Sequence, residues 1–331
     1  MVDWILRKFK DEDFIQFLDW RKVVARREKT QEYVEWEYLK GPWGPAETWV
    51  ADDNGKIIGQ YSTQRYEAFY FGKKMIASYS FDTGAHPKYF HPKKNIFQSL
   101  GRKFFEEEAK QNIHFSTGFP NEYFLFGGVK FGWKIVCPVP LLENNNISEI
   151  NIDKNNDYEI REIQNFDESF EGFSENFKNE IPIYLNRTRR YLNWRFVEKP
   201  SLTNPKYHYN YAKFKIIDKT DKMVSYFVTK NFPSEEGIIL HLMDFLIPQE
   251  TELYKSLIYF LIKKAKNEKI GKISLFLTRY DPFSEYLRKF NFRYVDTNRK
   301  FIVRNNTNIL DDEDLVNERN HFITMGDHDV Y

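Results

Sequence analysis

The feature that most constrains the fold is an internal repeat, because the second half of the chain follows the first at a nearly constant offset. Four short matches carry the repeat, and their members lie between 157 and 162 residues apart. They are Trp36 with Trp194, Asp82 with Asp244, Ser99-Leu100 with Ser256-Leu257, and Phe131-Gly132-Trp133 with Phe290-Asn291-Phe292. An offset that changes only by small insertions is typical of a duplicated domain. The sequence therefore predicts two domains of one fold.

The same order of elements is predicted in both halves. Hydrophobic periodicity and turn signals give strand, helix, helix, three strands, helix, strand, helix and strand, and the second half repeats this order. A polar bridge at residues 143–148 separates the halves. We therefore predict domains at residues 1–146 and 147–307, followed by a tail at residues 308–331.

Composition excludes several classes of protein. Lys plus Arg number 49 and Asp plus Glu 48, a formal net charge of +1, so the basic excess of a nucleic-acid-binding protein is absent. No signal peptide or membrane span of ~20 apolar residues is found. The single cysteine, Cys137, excludes intrachain disulfides and is expected to be buried on a strand. The histidines lack metal-binding spacing, so no metal site is predicted. We expect a cytoplasmic protein without a nucleic-acid partner.

The segment from Ser80 to Leu100 is the most informative for function. A predicted strand ends near Asp82, a loop follows, and a helix begins near Ile96 with its apolar residues already in phase. Such a helix start presents unpaired backbone N–H groups and the positive end of the helix dipole. The junction therefore has the geometry of an anion site.

Three groups of residues in the first half resemble one family. They are His86-Pro87-x-Tyr89 leading into Ile96-Phe97-x-x-Leu100, then Gly118-Phe119-Pro120-Asn121, then Phe131-Gly132-Trp133. In this order of elements they resemble the GNAT acyltransferase superfamily, and more narrowly its two-domain branch that is often associated with surface-polysaccharide biosynthesis.

The resemblance implies both a fold and an activity. The fold is α/β (α+β), with two tandem GNAT-like domains that each have a mixed, largely antiparallel central sheet flanked by helices. The activity is that of an N-acyltransferase, most simply an N-acetyltransferase, with acetyl-CoA as co-substrate. The acceptor is expected to be an amine, such as an amino sugar, in a small molecule or a glycan, and it attacks the thioester directly.

The resemblance also implies a cofactor loop before the long helix, and this sequence departs from the family there. Family members carry Arg or Gln and two glycines, whose backbone amides bind the pyrophosphate. This chain has Phe90-His91-Pro92-Lys93-Lys94-Asn95, two residues longer and without glycine. The positive charge of Lys93 and Lys94 could replace part of the contacts that backbone amides make with the pyrophosphate, and Asn95 could adopt the positive φ of a glycine. The alternative is that both lysines are simply solvated.

The residues predicted to bind the cofactor are Ala85, His86, Lys93, Lys94, Asn95, Ile96 and Asn121. The second half has Glu250 and Glu252 before its long helix and no glycine or base, and these carboxylates would repel a pyrophosphate. We therefore expect the second domain to keep the fold with a degenerate cofactor loop.

Two residues are candidates for proton transfer. Asp82, at the strand end, is the candidate base for the acceptor amine; the alternative is that it braces the backbone N–H groups of residues 83–85. The family often places a Tyr as proton donor to the thiolate on the helix after the fifth strand. That position falls on Gly128 here, so Tyr123 is the candidate substitute.

The acceptor is expected to meet Trp36, Glu37 and Tyr38, on the helix that borders the acceptor cleft in the family. Their alternative is hydrophobic packing, which the matching Trp194 favours for Trp36. Four arginines of the second half are expected to form a solvated or salt-bridged helix face, or to meet an anionic part of the acceptor. They are Arg187, Arg189, Arg190 and Arg195.

Two other functions stay open. One is a catalytically inactive GNAT-like module that binds a glycan, peptide or protein partner. The other is an aminoacyl transferase of the related duplicated kind that takes its acyl group from a charged tRNA, which the near-zero net charge disfavours. The acidic start of the tail is expected to be a solvated turn, followed by a segment that docks through Phe322 and Ile323.

Overall fold

The computed structural model describes residues 4–24, 29–89, 95–120, 122–202, 208, 210–307 and 309–328. Helices and strands alternate through the first part of the chain. They are β1 (Ile5–Lys8), α1 (Phe14–Val24), α2 (Gln31–Leu39), β2 (Glu47–Asp53), β3 (Lys56–Tyr70), β4 (Lys73–Ala85), α3 (Ile96–Lys110), β5 (Phe115–Gly118), α4 (Glu122–Gly128) and β6 (Lys134–Pro138).

The remaining elements repeat this succession from the three consecutive strands onward, whereas only one α-helix precedes those strands. They are β7 (Leu141–Asn144), β8 (Glu159–Ile163), β9 (Ile183–Leu185), α5 (Arg189–Phe196), β10 (Tyr211–Ile217), β11 (Met223–Ser234), β12 (Gly237–Leu246), α6 (Thr251–Asn267), β13 (Lys272–Phe276), α7 (Pro282–Arg288), β14 (Arg293–Val295), β15 (Lys300–Asn305) and α8 (Asp312–Val316). No helix in the described ranges has the length and apolarity needed to cross a membrane.

The strands form two mixed sheets, as expected. The first runs β1-β2-β3-β4-β5-β15-β6 and the second runs β14-β7-β13-β12-β11-β10-β8. Among the strand pairs described, β4 with β5 and β12 with β13 are parallel, and pairs such as β1 with β2, β5 with β15 and β11 with β12 are antiparallel. The same parallel step thus occurs at the same place in both sheets, which confirms two tandem domains of one fold.

The chain divides into two compact units that do not coincide with contiguous halves. Unit 1 comprises Met1–Ala68, Lys74–Cys137 and Asn298–Asn317, and unit 2 comprises Phe69–Lys73, Pro138–Thr297 and Glu318–Tyr331. The late strand β15 therefore belongs to the first sheet, between β5 and β6, while β7 belongs to the second. The domain boundary after residue 146, which divides the duplicated halves of the sequence, stays a prediction.

Side-chain caps define where the helices begin. Thr30 and Thr188 accept hydrogen bonds from the backbone N–H of Tyr33 (3.2 Å) and Tyr191 (3.1 Å) and so start α2 and α5 at equivalent places. Such caps satisfy backbone donors that have no partner inside the helix. The periodic apolar face of α3 then packs into the core of unit 1, where Leu100 and Phe104 are fully buried.

Several local expectations can be compared with the structure. Cys137 is buried on β6, as predicted. The apolar spacing of residues 169–178 predicts a helix, but only short 3-10 turns form there, at Glu168–Phe170 and Phe173–Phe177. Phe322 and Ile323 are buried, which confirms that the tail docks. Its acidic start forms the short helix α8 rather than a turn, because Asp311 caps it.

A buried acid lies beneath the parallel strands of unit 1. Glu108 on α3 is inaccessible to solvent and accepts hydrogen bonds from Thr63 (2.7 Å), Ser78 (3.2 Å), Ser116 (3.0 Å) and Asn306 (3.1 Å). Burial raises its pKa to about 7 in spite of these donors. The folded state therefore holds this proton more tightly than the unfolded chain does.

We predict that this carboxyl lowers the stability of the protein as the pH rises. The free energy of unfolding should fall between about pH 4.5 and about pH 7, because the folded state must release the proton of Glu108. Glu108→Gln removes that term. The free energy of unfolding of the variant, relative to that of wild type, should therefore rise by about 2–3 kcal/mol between about pH 5 and about pH 8. Urea unfolding measures it.

Glu107→Gln, on the same helix, is the matched control. Lys103 and Lys110 lower the pKa of Glu107 to about 2, so it is ionised across this pH range in both states. The difference in the free energy of unfolding between Glu107→Gln and wild type should therefore not change with pH. A flat difference for Glu108→Gln as well would show that Glu108 is ionised in the folded protein throughout.

Candidate active site

The start of α3 does not have the backbone conformation that the sequence suggested. Asn95 has a φ of −81°, so the left-handed conformation expected from a glycine substitute is not adopted. Its side chain instead accepts a hydrogen bond from the backbone N–H of Gln98 (3.1 Å) and caps the helix. Ile96 is buried in the core of unit 1. The side chains of both residues are therefore engaged within the protein.

The end of β4 lies beside this helix start. The pairing of β4 with β5 ends at Tyr79, although β4 continues to Ala85. The backbone N–H of His86 donates to Ile58 (2.8 Å), and the ring Nδ1 of His86 accepts from the backbone N–H of Lys88 (3.1 Å). Burial, Lys56 and Lys88 lower the pKa of this histidine, which keeps it neutral at pH 7.

The structure does not describe the side chains of four predicted site residues. Lys93, Lys94 and Asn121 lie outside the described residues, as does the side chain of Tyr123. Their roles stay predictions from the sequence.

Asp82 is the centre of a buried polar cluster on the part of β4 that extends beyond its pairing with β5. Its carboxylate contacts Lys29 Nζ (2.5 Å) and Arg21 Nη2 (2.6 Å), and it accepts a hydrogen bond from the Tyr38 hydroxyl (3.2 Å). Gln60 donates to its backbone carbonyl (2.6 Å). Asp82 also has a φ of +48°, a conformation that costs energy for a residue with a side chain and that is common at functional sites.

A second carboxylate joins this cluster. Glu37 on α2 contacts the same ammonium group, Lys29 Nζ, at 2.5 Å and is nearly inaccessible to solvent. Burial raises the pKa of Glu37 to about 7, although Lys29 opposes the rise. Burial works in the same direction on Asp82, but Arg21 and Lys29 outweigh it and hold the pKa of Asp82 well below its usual range. Within one cluster, the pKa of Glu37 is therefore raised and the pKa of Asp82 is lowered.

These partners oppose the simplest roles predicted for Asp82. A carboxylate held by two cations is a weak proton acceptor, so its function as a base stays a prediction without support from this geometry. Its hydrogen bonds also differ from the predicted brace, because its carboxylate contacts Arg21, Lys29 and Tyr38 rather than the amides of residues 83–85. Asp82 positions two cations at the end of β4.

The predicted acceptor-binding residues are brought together but are buried. Trp36 and Tyr38 are 5% and 4% exposed, and Trp36 packs edge-on against Tyr33. Stacking on a sugar would require an open ring face. The packing alternative accounts for Trp36, while Tyr38 and Glu37 belong to the Asp82 cluster.

Sequence reasoning missed Lys29 and Arg21. A signal for Lys29 was present, since Lys29-Thr30-x-x-Tyr33-x-x-Trp36 matches Arg187-Thr188-x-x-Tyr191-x-x-Trp194 at one offset of 158 residues. Each motif has a cation, a capping threonine and two aromatic residues. Arg21 has no comparable signal, because nothing in its surroundings on α1 distinguishes it from other charged positions.

Unit 2 contains the equivalent pair in a different setting. Arg187 contacts Asp244 (3.3 Å) and Asp327 (2.7 Å), while Tyr226 (2.8 Å) and Thr324 (2.6 Å) donate to Asp244. Arg187 is fully buried and salt-bridged, so of the two alternatives expected from the sequence the salt-bridged one holds for it, although it lies ahead of α5; Arg195 is buried as well. The acidic residues predicted before the long helix do lie there, with Glu250 at the N-cap of α6 and Glu252 in its first turn.

Comparison with known proteins agrees with this architecture. Residues 6–136 match the family described as the acetyltransferase (GNAT) domain. Curated protein sequences yield no match, and the described residues contain no group of acids, histidines or cysteines that could hold a metal ion.

Solved structures match nearly the whole chain. A GCN5-related N-acetyltransferase from Anabaena variabilis has a TM-score of 0.73 at 16% identity, over 92% of this chain and 73% of that one. Saccharomyces cerevisiae N-myristoyltransferase with bound myristoyl-CoA has 0.58 at 12%, over 92% and 79%. A tandem GNAT protein from the clavulanic acid biosynthesis pathway has 0.56 at 9%, over 92% and 99%. These likenesses show a tandem GNAT fold; the link to polysaccharide biosynthesis stays a prediction.

We predict that the stability of unit 1 depends on Lys29. Lys29→Met leaves Glu37 buried without its cation and should lower the free energy of unfolding by about 3–5 kcal/mol at neutral pH. The loss should shrink in acid, because Glu37 can then be protonated. Adding Glu37→Gln to this variant should restore much of the stability, since no unpaired charge remains.

Urea unfolding of both variants measures these effects, with Lys22→Met as control. Lys22 lies on α1 in an exposed pair with Asp19, which should contribute little. Equal losses for Lys29→Met and Lys22→Met would contradict the proposed importance of the buried cluster.

Proposed function

We propose that the chain is an N-acyltransferase that transfers an acyl group, acetyl first, from acyl-CoA to an amine acceptor. The observation that carries the proposal is the match of residues 6–136 to the GNAT domain, because this segment includes the end of β4, the start of α3 and the Asp82 cluster. The fold of both units supports it.

The cofactor would bind where β4 continues beyond its pairing with β5. Backbone N–H groups at the start of α3 and the helix dipole favour the negative charge of a pyrophosphate there. Lys93 and Lys94 precede this helix in the sequence and would add positive charge. Ala85 and His86 would border the site from the strand.

The reaction requires a neutral amine and a protonated leaving group. The amine nitrogen attacks the thioester carbonyl carbon, so that a C–N bond forms, the C–S bond breaks and the thiolate of CoA leaves. We propose that the amine proton passes to Glu37, the acid of the Asp82 cluster whose pKa of about 7 suits exchange near neutral pH. Asp82 holds Lys29 in place, and Tyr123 is the proposed proton donor to the thiolate.

Unit 2 would not bind a second cofactor. The first turn of α6 carries Glu252, and Glu250 stands at its N-cap. These carboxylates interact favourably with the positive end of the helix dipole, but they would repel a pyrophosphate. We therefore propose one acyl-CoA site per chain, in unit 1.

We predict that acetyl-CoA binds in the micromolar range and that Lys93→Glu/Lys94→Glu weakens binding at least about 100-fold, the effect of losing two charge-assisted contacts. Isothermal titration calorimetry of the full chain measures this. Lys73→Glu/Lys74→Glu, which reverses the same dipeptide at the opposite end of β4, is the matched control and should bind like wild type.

Two outcomes would overturn the proposal in different ways. Absence of binding at millimolar acetyl-CoA by the folded protein would exclude acetyl transfer and leave the alternative of a binding module. Equal weakening by both double variants would show that the cofactor does not bind at the start of α3. Binding as predicted would justify a screen of amine acceptors by release of free CoA thiol.

A further inference from the structure

The end of strand β4 is built of small residues in unit 1 but not at the equivalent place in unit 2. Thr83-Gly84-Ala85 follows Asp82, and each of the three residues is partly exposed. The offset of 162 residues between Asp82 and Asp244 places Phe245-Leu246-Ile247 at the same positions of unit 2, where all three side chains are buried. Unit 1 therefore has accessible backbone where unit 2 has a closed apolar core.

One aromatic ring bounds the space beside Gly84. Among the described residues outside its chain neighbours, a Cβ atom at Gly84 would meet a single atom within 4 Å, the indole Cη2 of Trp20 at 4.0 Å. Cη2 is at the tip of the indole, so the ring points its end at this strand. The next residue of α1, Arg21, contacts Asp82 (2.6 Å). The end of α1 therefore places an aromatic wall at Gly84 and a cation at Asp82.

Packing holds the ring of Trp20 in this position. The ring is 5% exposed and stacks on Phe17, with centroids 6.3 Å apart and 13° between the ring planes. Phe17 is fully buried and packs edge-on against Tyr38 (5.0 Å), whose hydroxyl donates to Asp82. A side chain in such a close-packed core cannot turn aside without displacing its neighbours. The indole is therefore a fixed wall rather than a movable cover.

The proposed reaction brings the acyl group to this space. The amine gives its proton to Glu37, which shares the ammonium group of Lys29 with Asp82, so the thioester carbon must lie close to the same cluster. In the proposed mode of binding, the sulfur and the rest of CoA lie toward the start of α3. The acyl chain then extends from the thioester carbon toward α1, along Gly84.

We propose that Trp20 determines the length of the acyl group that unit 1 transfers. An acetyl or propionyl group fits beside Gly84, whereas an octanoyl chain meets the indole. A fixed wall gives specificity by a clash with the wrong substrate, in addition to the contacts made with the right one. This inference rests on the proposed acyl transfer and names its substrate as a short-chain acyl-CoA.

Isothermal titration calorimetry of the full chain with free CoA, acetyl-CoA and octanoyl-CoA tests the inference. Octanoyl-CoA should bind to wild type at least about tenfold more weakly than acetyl-CoA does. Trp20→Ala removes the wall, so octanoyl-CoA should bind to it at least about tenfold more tightly than to wild type, because the methylene groups can then be buried. Free CoA should bind to both equally. Trp194→Ala, which removes a similarly buried indole of unit 2, is the matched control and should leave all three affinities unchanged.

Gly84→Ala tests the same space from the strand. The added methyl group makes only an ordinary contact with Trp20 and so preserves folding, but it takes up the space of the acyl group. Acetyl-CoA should bind to this variant about tenfold more weakly than to wild type, whereas free CoA should bind unchanged. Gly271→Ala in unit 2, where a Cβ would meet no described atom within 4 Å, is the control and should alter neither affinity.

Three results would overturn the inference. Equal binding of octanoyl-CoA and acetyl-CoA by wild type would exclude a wall and leave the proposed function intact. Equal weakening of free CoA and acetyl-CoA by Gly84→Ala would place residue 84 against the carrier rather than the acyl group, and it decides the question even if Trp20→Ala fails to fold. Absence of binding by all three compounds would overturn the proposed function as well.

Discussion

Both units are built around a buried contact between a cation and an aspartate. In each case the cation directly precedes the threonine that caps a helix, and the aspartate lies near the end of the strand before the long helix. The pairs are Lys29 with Asp82 at 2.5 Å and Arg187 with Asp244 at 3.3 Å. A buried charge without a partner costs several kcal/mol, so each contact fixes the start of one helix against the sheet. The position of the candidate site at the end of β4 follows from it.

The two units differ in the group that supplies the second carboxylate. In unit 1 it is Glu37, from within α2. At the equivalent position, 158 residues later, unit 2 has Arg195, which donates to the backbone carbonyls of Gly326 (3.0 Å) and His328 (2.5 Å). The tail thereby brings Asp327 to Arg187. One reversal of charge thus accounts for the docked tail. Burial raises the pKa of the second carboxyl in both units, to about 7 for Glu37 in unit 1 and above its usual range for Asp327 in unit 2.

Much of the fold could be predicted because it depends on local patterns that occur twice. The order of elements, the two domains and the buried Cys137 follow from periodicity and from the repeat. The place of β15 between β5 and β6 could not be predicted, because strand pairing depends on contacts far apart in the chain and nothing local distinguishes β15 from a strand of the second sheet. At residues 169–178 the local pattern itself was misleading, because its helical spacing predicts a helix but only 3-10 turns form.

The candidate site was predicted in its location but not in its chemistry. The sequence indicated Asp82, Glu37 and Tyr38 separately, and the structure joins them into one cluster. It did not indicate that Lys29 and Arg21 would lower the pKa of Asp82, because the distance between residues 53 or more positions apart is set by tertiary structure. Asn95 illustrates the same limit, since a capping role and a left-handed conformation are both compatible with its sequence context.

The proposed function depends on binding of acyl-CoA by unit 1 alone, at the start of α3. Hydrogen–deuterium exchange of the full chain, with and without saturating acetyl-CoA, measures where the cofactor binds. We expect slower exchange of the backbone amides at residues 84–100 and unchanged exchange at residues 246–256, the equivalent junction of unit 2. Slower exchange at residues 246–256, with residues 84–100 unaffected, would show that the cofactor binds to unit 2 instead.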